Sequence, residues 1–129
     1  MLPVQIKKAT INDITKLQAI AKQTFYETFS SGNTEDNMKK YLEEGFNLEK
    51  LSAELSNINS EFYFATLDNK IIGYLKLNSG NSQTEIKNIK AVEIERIYVL
   101  QQYHGKGWDN YFIIKHWRLP GIKMRIMYG

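Results

Sequence analysis

The sequence predicts a mixed α+β (α/β) fold in which helices flank a mostly antiparallel sheet. Three helical patterns come first, within residues 12–58, where apolar residues recur at helical spacing. A β-hairpin follows over residues 61–77, where the apolar period changes to two. A strand at residues 91–99 then runs into a turn that contains Gly105 and Gly107. A helical block followed by strands is typical of a single α+β domain.

The composition indicates one soluble domain. The chain has 129 residues, 43% of them hydrophobic, which is enough for one core and too short for two. It contains no cysteine, which excludes a disulfide framework and a thiol nucleophile and fits a reducing cytoplasm. No apolar run reaches the length of a signal peptide or a membrane span. We therefore expect a cytoplasmic protein without a membrane partner.

The net charge of +3 comes from the C-terminal segment. Residues 106–129 carry five basic residues against one acid, which leaves 12 basic and 13 acidic residues in the nearly neutral remainder. A basic protein often binds nucleic acid. Here, however, the aromatic and basic side chains of the segment have no domain around them, so we expect no nucleic-acid partner. These side chains are Trp108, His116, Trp117 and Arg118.

Capping residues mark the beginnings of two predicted helices. Thr10 resembles an N-cap with an acid, Asp13, three residues later, and we place the first helix over residues 12–29. Thr34 caps the second helix, which ends at Gly45. The third helical segment has four apolar residues in register: Leu48, Leu51, Leu55 and Ile58.

Three predicted strands precede the strand at residues 91–99. Residues 4–8 form the first, and residues 61–67 and 71–77 form an antiparallel hairpin around a turn at residues 68–70. The polar stretch at residues 78–90 is predicted to be a mobile loop. We expect the aromatic residues of the hairpin to belong to the core and the sheet faces rather than to a substrate site. These are Phe62, Tyr63, Phe64 and Tyr74.

The strand at residues 91–99 and the turn after it outline an anion site. The strand alternates and is rich in β-branched and aromatic residues. The turn, residues 100–107, is polar and contains glycine, a form that presents backbone N–H groups to an anion. A helix whose N-terminus adds its dipole to the turn should follow. The sequence continues instead with Trp108-Asp109-Asn110-Tyr111-Phe112, which does not match that expectation.

The strand and turn resemble the acetyl-CoA motif of the GNAT family of N-acetyltransferases. The resemblance depends on Glu93-Ile94-Glu95-Arg96-Ile97-Tyr98-Val99 and, five residues after Val99, on His104-Gly105-Lys106-Gly107. Residues 25–42, 46–56 and 61–78 are also similar to the PaiA-type spermidine/spermine N-acetyltransferases, so the resemblance covers about residues 1–107.

The phosphate loop departs from the family pattern at two positions. In the family the loop opens with Gln or Arg five residues beyond the strand, and that position here is His104 rather than Gln102. Asp109 stands where the family has its last glycine. A carboxylate there would repel a pyrophosphate, and its Cβ would prevent close backbone approach.

The resemblance implies direct transfer of acetyl from acetyl-CoA to a primary amine, such as a small polyamine. Glu93 would be the general base, with Glu95 on the same strand face as the fallback. The tyrosine that serves the family as general acid has no matching position in this chain. The implied cofactor contacts are backbone groups that hold the pantetheine arm, the thioester carbonyl and the pyrophosphate. They belong to Ile97, Tyr98, Val99, His104, Gly105, Lys106 and Gly107.

A shifted reading frame accounts for the mismatch after Gly107. The degeneracy of the genetic code allows codons for residues 107–129 that encode a different sequence in another frame. That sequence restores the glycine pattern of the loop and continues as an amphipathic helix. We therefore divide the chain into residues 1–107, the N-terminal part of an acetyltransferase domain, and residues 108–129, an out-of-frame tail. The family's C-terminal elements would then be missing or replaced, which leaves a sheet edge near the central strand.

Two functions from different classes remain open. The first is an N-acetyltransferase that acts on a small-molecule amine and is impaired by the aberrant C-terminus. The alternative is a non-catalytic truncated remnant or an interaction module, and an uncovered sheet edge leaves a homodimer open. The alternative interpretation of Glu93 and Glu95 is that they are solvated strand residues. His104 and His116 lack partners at metal-ligand spacing, so we expect no metal.

Overall fold

The computed structural model describes residues 5–79, 91–103 and 123–126. The strands in this part of the chain are β1 (Gln5–Lys8), β2 (Ser60–Leu67), β3 (Lys70–Ser79), β4 (Ala91–Val99) and β5 (Lys123–Ile126). The helices are α1 (Ile14–Phe29), α2 (Glu35–Gly45) and α3 (Leu48–Ser56). The five strands form one sheet in the order β1-β2-β3-β4-β5, antiparallel except between β4 and β5. The expected mixed α+β fold is confirmed.

Side-chain caps begin the helices where the sequence predicts them. The Thr10 backbone N–H donates to Asp13 Oδ2 at 3.0 Å, and this capping box surrounds a 3₁₀ turn, so that α1 itself begins at Ile14. Thr34 Oγ1 accepts from the backbone N–H of Asn37 at 3.1 Å and caps α2. Each cap satisfies an N–H that has no partner within its helix.

The third helix is shorter than its apolar pattern predicts. Asn47 begins it, since its Oδ1 accepts from the backbone N–H of Lys50 at 2.7 Å. It ends at Ser56 because Asn57 takes an extended conformation and leads the chain into β2. Ile58 is 90% exposed, so the prediction that it continues the apolar face of α3 is wrong.

A two-residue turn joins β2 to β3. Asp68 and Asn69 have φ angles of 52° and 64°, the positive values of a turn whose twist matches that of a hairpin. Lys70, expected in the turn, instead pairs with Leu67 as the first residue of β3. The strand continues to Ser79, so the predicted loop does not begin at residue 78, and residues 80–90 of that loop lie outside the described residues.

The core consists of two apolar clusters, one on each face of the sheet. The cluster beneath the helices joins Leu17 of α1 and Leu51 of α3 to the sheet, and the other centres on Leu75 and Ile97. Burying each large side chain contributes about 1.5–3 kcal/mol. The expected core role of the hairpin aromatics is confirmed for the three that are at most 5% exposed: Phe62, Phe64 and Tyr74.

A strand from the C-terminal segment pairs with the first half of β4. The parallel register runs from Ala91↔Lys123 to Ile94↔Ile126. The expectation of a sheet edge at β4 is therefore wrong for residues 91–94. Residues 123–126 alternate polar and apolar side chains, a pattern that suits a strand. Among the described residues, no helix has the length and apolar character needed to cross a membrane.

Candidate functional site

A β-bulge in β4 determines which side chains face the helices. The register between β3 and β4 passes from Lys76↔Arg96 to Leu77↔Ile94, so that Glu95 is the extra residue. A bulge interrupts the alternation of a strand and re-aims its side chains.

The bulge also corrects the expectation that Glu95 and Ile97 share a face. Ile97 packs in the apolar cluster away from the helices. Glu95 instead contacts Lys76, whose Nζ lies 5.7 Å from the centre of the Phe62 ring on the helix side of the sheet. Unbroken alternation along β4 would place Glu95 and Ile97 on the same face of the sheet. The extra residue of the bulge interrupts the alternation, so the two side chains lie on opposite faces.

A cleft of about 430 Å³ lies between β4 and the helices. Its aromatic wall is held by edge contacts, because the Phe25 ring lies 5.3 Å from that of Phe46 and 6.4 Å from that of Tyr41. The Gln18 side chain holds the Phe46 carbonyl at 2.9 Å and ties the segment between α2 and α3 to α1. The cleft is lined by Phe25, Tyr41, Glu44, Gly45, Phe46, Lys50, Glu95, Arg96 and Tyr98.

Two carboxylates and two cations form a closed set of ion pairs that reaches the cleft through Glu95 and Arg96. We call Glu54, Lys76, Glu95 and Arg96 the charge quartet. Lys76 Nζ lies 3.5 Å from Glu54 Oε2 and 3.3 Å from Glu95 Oε2. Arg96 reaches the same two partners, with Nη2 3.1 Å from Glu54 Oε1 and Nε 3.2 Å from Glu95 Oε2. Each charge in the quartet is therefore balanced by two neighbours of opposite sign.

Asn78 extends the charge quartet into the core. Its Nδ2 donates to Glu95 Oε1 at 2.7 Å, and its Oδ1 accepts from the Ser60 hydroxyl at 2.9 Å. Asn78 is 1% exposed, so its polar atoms depend on these partners. Both oxygens of Glu95 thus accept hydrogen bonds, which fixes the orientation of this carboxylate at the bulge.

Burial shifts the pKa values of the polar groups beside Arg96. It raises the pKa of the Tyr74 hydroxyl well above its usual value, against the opposing effect of the Arg96 charge, and it raises the pKa of Tyr98 similarly. Burial acts to lower the pKa of Arg96, but interactions with Tyr74, Glu54 and Glu95 outweigh it and raise that pKa. At neutral pH Tyr74 and Tyr98 are therefore neutral, and the Arg96 guanidinium is charged.

The structure locates only part of the site predicted from sequence. Ile97, Tyr98 and Val99 are the last three residues of β4 and lie beyond its register with β5. The backbone of Glu93 is in β4, opposite Asn78 and beside Arg125. The predicted phosphate-binding residues lie outside the described residues: His104, Gly105, Lys106 and Gly107.

Sequence reasoning missed three members of the charge quartet, Glu54, Lys76 and Arg96. One signal was present, because Tyr74, Lys76 and Asn78 alternate with the apolar residues of β3 and share a face. A polar face of a hairpin normally indicates solvent. Only the packing of α3 over it shows that these side chains are buried.

Comparison with known proteins places the chain in a family. A sequence profile described as the acetyltransferase (GNAT) family matches residues 16–108. An uncharacterised N-acetyltransferase in the pepI 3′ region of Lactobacillus delbrueckii subsp. lactis is 36% identical over 107 residues, which make up 83% of this chain and 62% of the relative. The chain belongs to the acetyltransferase (GNAT) family. It spans about three fifths of the length of this curated relative.

Solved structures share the fold at low identity. The PaiA N-acetyltransferase of Thermoplasma acidophilum, solved in complex with coenzyme A, superposes with a TM-score of 0.68 at 22% identity, over 89% of this chain and 70% of that one. An aminoglycoside acetyltransferase from an uncultured soil metagenomic sample, solved with sisomicin, superposes with a TM-score of 0.64 at 18% identity. The match covers 98% of this chain and 76% of that one. A ribosomal-protein-alanine N-acetyltransferase from Brucella melitensis biovar Abortus 2308 superposes with a TM-score of 0.61 at 14% identity, over 98% of this chain and 81% of that one. Acetyl-CoA is the acetyl donor of the family.

Proposed function

We propose that this chain binds acetyl-CoA and transfers its acetyl group to a primary amine, with small polyamines as the acceptor class. The observation that carries the proposal is the cleft against β4, because β4 also leads into the predicted phosphate turn. Acceptor and donor would thus meet along one strand. The family match supports the donor, and the lining of the cleft supports the acceptor.

The cofactor would lie along the end of β4. The backbone of Ile97, Tyr98 and Val99 would hold the pantetheine arm as an added strand, and the N–H groups of residues 104–107 would hold the pyrophosphate.

The acceptor would enter the cleft as an alkylammonium ion. Aromatic faces attract cations, and the cleft offers four rings together with the carboxylates of Glu44 and Glu95. Structures that share the fold are named for amine acceptors of different kinds, an aminoglycoside and a protein alanine. A polyamine is favoured by the similarity to PaiA-type sequences and by this combination of rings and carboxylates.

In the proposed reaction the neutral amine nitrogen attacks the thioester carbonyl carbon and the coenzyme A thiolate leaves. Glu93 would accept the proton that the acceptor ammonium loses, directly or through water. Glu93→Gln should then lower kcat/KM and remove the acidic limb of its pH profile. Glu95→Gln is the comparison, since Glu95 is held by Asn78, Lys76 and Arg96. A full loss in Glu95→Gln with none in Glu93→Gln would reverse the assignment.

Thermal unfolding with and without acetyl-CoA tests the function directly. A ligand that binds only the native state raises the melting temperature, and a hundredfold excess over Kd stabilises by about 2.7 kcal/mol. We expect a cooperative transition that moves upward with acetyl-CoA. A transition that acetyl-CoA does not move would favour the alternative, a non-catalytic remnant or interaction module.

We also propose that residues 108–129 are an out-of-frame tail that follows the N-terminal part of an acetyltransferase domain. Two observations support this. The family match ends at residue 108, and Asp109 replaces the last glycine of the family loop. The nucleotide sequence of the gene is the test. A shifted frame after the Gly107 codon should encode a glycine followed by an amphipathic helix, and a frame without one would refute the hypothesis.

A further inference from the structure

The charge quartet has no net charge, and two of its members, Glu54 and Lys76, are not among the residues that line the cleft. Glu95 and Arg96 line the cleft, whereas Glu54 contacts both cations from α3. Glu95 alone would leave two cations facing one carboxylate. The formal neutrality of the charge quartet therefore depends on Glu54.

All four side chains of the charge quartet are shielded from solvent. The exposed fractions are 9% for Lys76, 14% for Glu54, 18% for Arg96 and 23% for Glu95. Charges at such partly buried sites interact several times more strongly than they do in water, and salt screens them less. A change of one unit charge here would be felt by an ion bound in the neighbouring cleft.

We propose that Glu54 is a positioning residue that determines the charge preference of the acceptor cleft. By neutralising Lys76 and Arg96 from behind, it allows a cationic amine to bind above them. The inference rests on the proposed function and adds to it the residue that favours acceptors of higher positive charge. Glu54 itself acts through Arg96 and Lys76.

Arg96 transmits the effect to the cleft. Its guanidinium carbon lies 5.8 Å from the centre of the Phe46 ring, and Phe46 also lines the cleft. With Glu54 in place, Nη2 is turned toward α3 at 3.1 Å and away from the acceptor. Without that carboxylate the guanidinium keeps its charge and loses one of its two anionic partners. The ammonium of an acceptor then meets an uncompensated cation.

The test compares Glu54→Gln with Glu49→Gln. Both substitutions remove one negative charge from α3 with little change in volume, but Glu49 is exposed and lies outside the charge quartet. Acetyl transfer to spermidine and to n-butylamine gives KM for each acceptor, and spermidine affinity is measured in parallel by calorimetry. For Glu54→Gln we expect the spermidine KM to rise roughly tenfold, with a smaller rise for n-butylamine and little change for acetyl-CoA.

A second substitution separates charge from structural damage. Lys76→Met alone should lower the spermidine KM, and Glu54→Gln combined with Lys76→Met should return it close to the wild-type value because neutrality is restored. Damage to the fold would raise KM in all three variants and would not be reversed. Equal effects in Glu54→Gln and Glu49→Gln, or no recovery in the double variant, would overturn the inference.

Failure of the proposed function would look different. In that case wild-type protein shows neither stabilisation by acetyl-CoA nor transfer to an amine, and the inference falls with it. If acetyl-CoA binds and amines are acetylated but Glu54→Gln behaves as Glu49→Gln does, only the role of Glu54 is refuted. The role of Glu54 would also be refuted if the wild-type chain bound acetyl-CoA but did not bind spermidine.

Discussion

The Glu27 carboxylate of α1 accepts a hydrogen bond from the backbone N–H of Gln101, with 2.7 Å between Oε1 and the nitrogen. The two residues are 74 positions apart. Gln23 Nε2 donates to the other oxygen of Glu27 at 2.8 Å and fixes its orientation. A helix that forms one side of the cleft is thus joined to the 3₁₀ turn that follows β4. A carboxylate suits the N–H groups that begin such a turn.

Glu27→Ala should weaken acetyl-CoA binding, because the turn at residues 101–103 leads into the predicted phosphate loop. The loss of one hydrogen bond predicts an increase in Kd of about threefold. Glu27→Gln keeps an oxygen acceptor and should retain most of the affinity. Titration calorimetry with acetyl-CoA checks both variants, and equal Kd values for wild type and Glu27→Ala would show that this contact does not affect the loop.

Gly73→Ala should destabilise the pairing of β3 with β4. A Cβ at Gly73 would come against the carbonyl oxygen of Tyr98 and lie 3.1 Å from the Cα of Val99, and backbone atoms cannot move aside cheaply. Overpacking of this kind costs about 1–3 kcal/mol. Gly32→Ala is the matched control, since nothing lies within 4 Å of its added Cβ. Urea unfolding should show a lower free energy of unfolding for Gly73→Ala and no change for Gly32→Ala. Equal losses in the two variants would contradict the close approach of β4 to Gly73.

Tyr74→Phe should leave the protein as stable as wild type or more stable. The Tyr74 hydroxyl is buried beside the Arg96 guanidinium and makes no hydrogen bond of good geometry in the part of the chain that the structure describes. An unsatisfied buried polar group costs about 1–3 kcal/mol, so its removal should raise the free energy of unfolding by about 1 kcal/mol. Tyr26→Phe, at an exposed tyrosine, is the control in urea unfolding. A loss of 1 kcal/mol or more would reveal a partner for the hydroxyl.

The free energy of unfolding should fall at alkaline pH because Tyr74 and Tyr63 ionise more readily in the unfolded chain. Burial raises the pKa of both side chains in the folded state above the usual tyrosine value of 10.0, and the Glu61 carboxylate also raises the pKa of Tyr63. The folded state therefore favours the protonated phenols, and this contribution is complete below pH 10.0 and is lost as the pH rises through the folded-state values.

Urea unfolding above and below that pH measures the effect, with phenolate absorbance to follow ionisation. Tyr74→Phe should reduce the slope of the unfolding free energy above pH 10.0, whereas Tyr26→Phe should leave it unchanged. Identical slopes in wild type and both variants would mean that burial of Tyr74 does not drive the alkaline loss.

Local sequence patterns accounted for most of the elements. The caps at Thr10 and Thr34, the end of α2 at Gly45 and the limits of β4 all agree with the structure. Each of these features depends on residues that are close in sequence. A cap needs a side chain that reaches an N–H three residues away, and a strand is recognised by the spacing of its apolar residues. Where a competing local signal intervened, as at Asn57 after α3, the pattern alone predicted a helix that was too long.

The sequence by itself determined the family and the order of the elements as far as β4, because these follow from contiguous residues. Only the tertiary structure decided that Glu95 is a bulge residue and that Lys76 and Arg96 join it to Glu54 beside a cleft. A bulge depends on how two strands register, and the ion pairs join residues up to 42 positions apart. Such contacts arise only when α3 packs on the sheet, so no local pattern contains them.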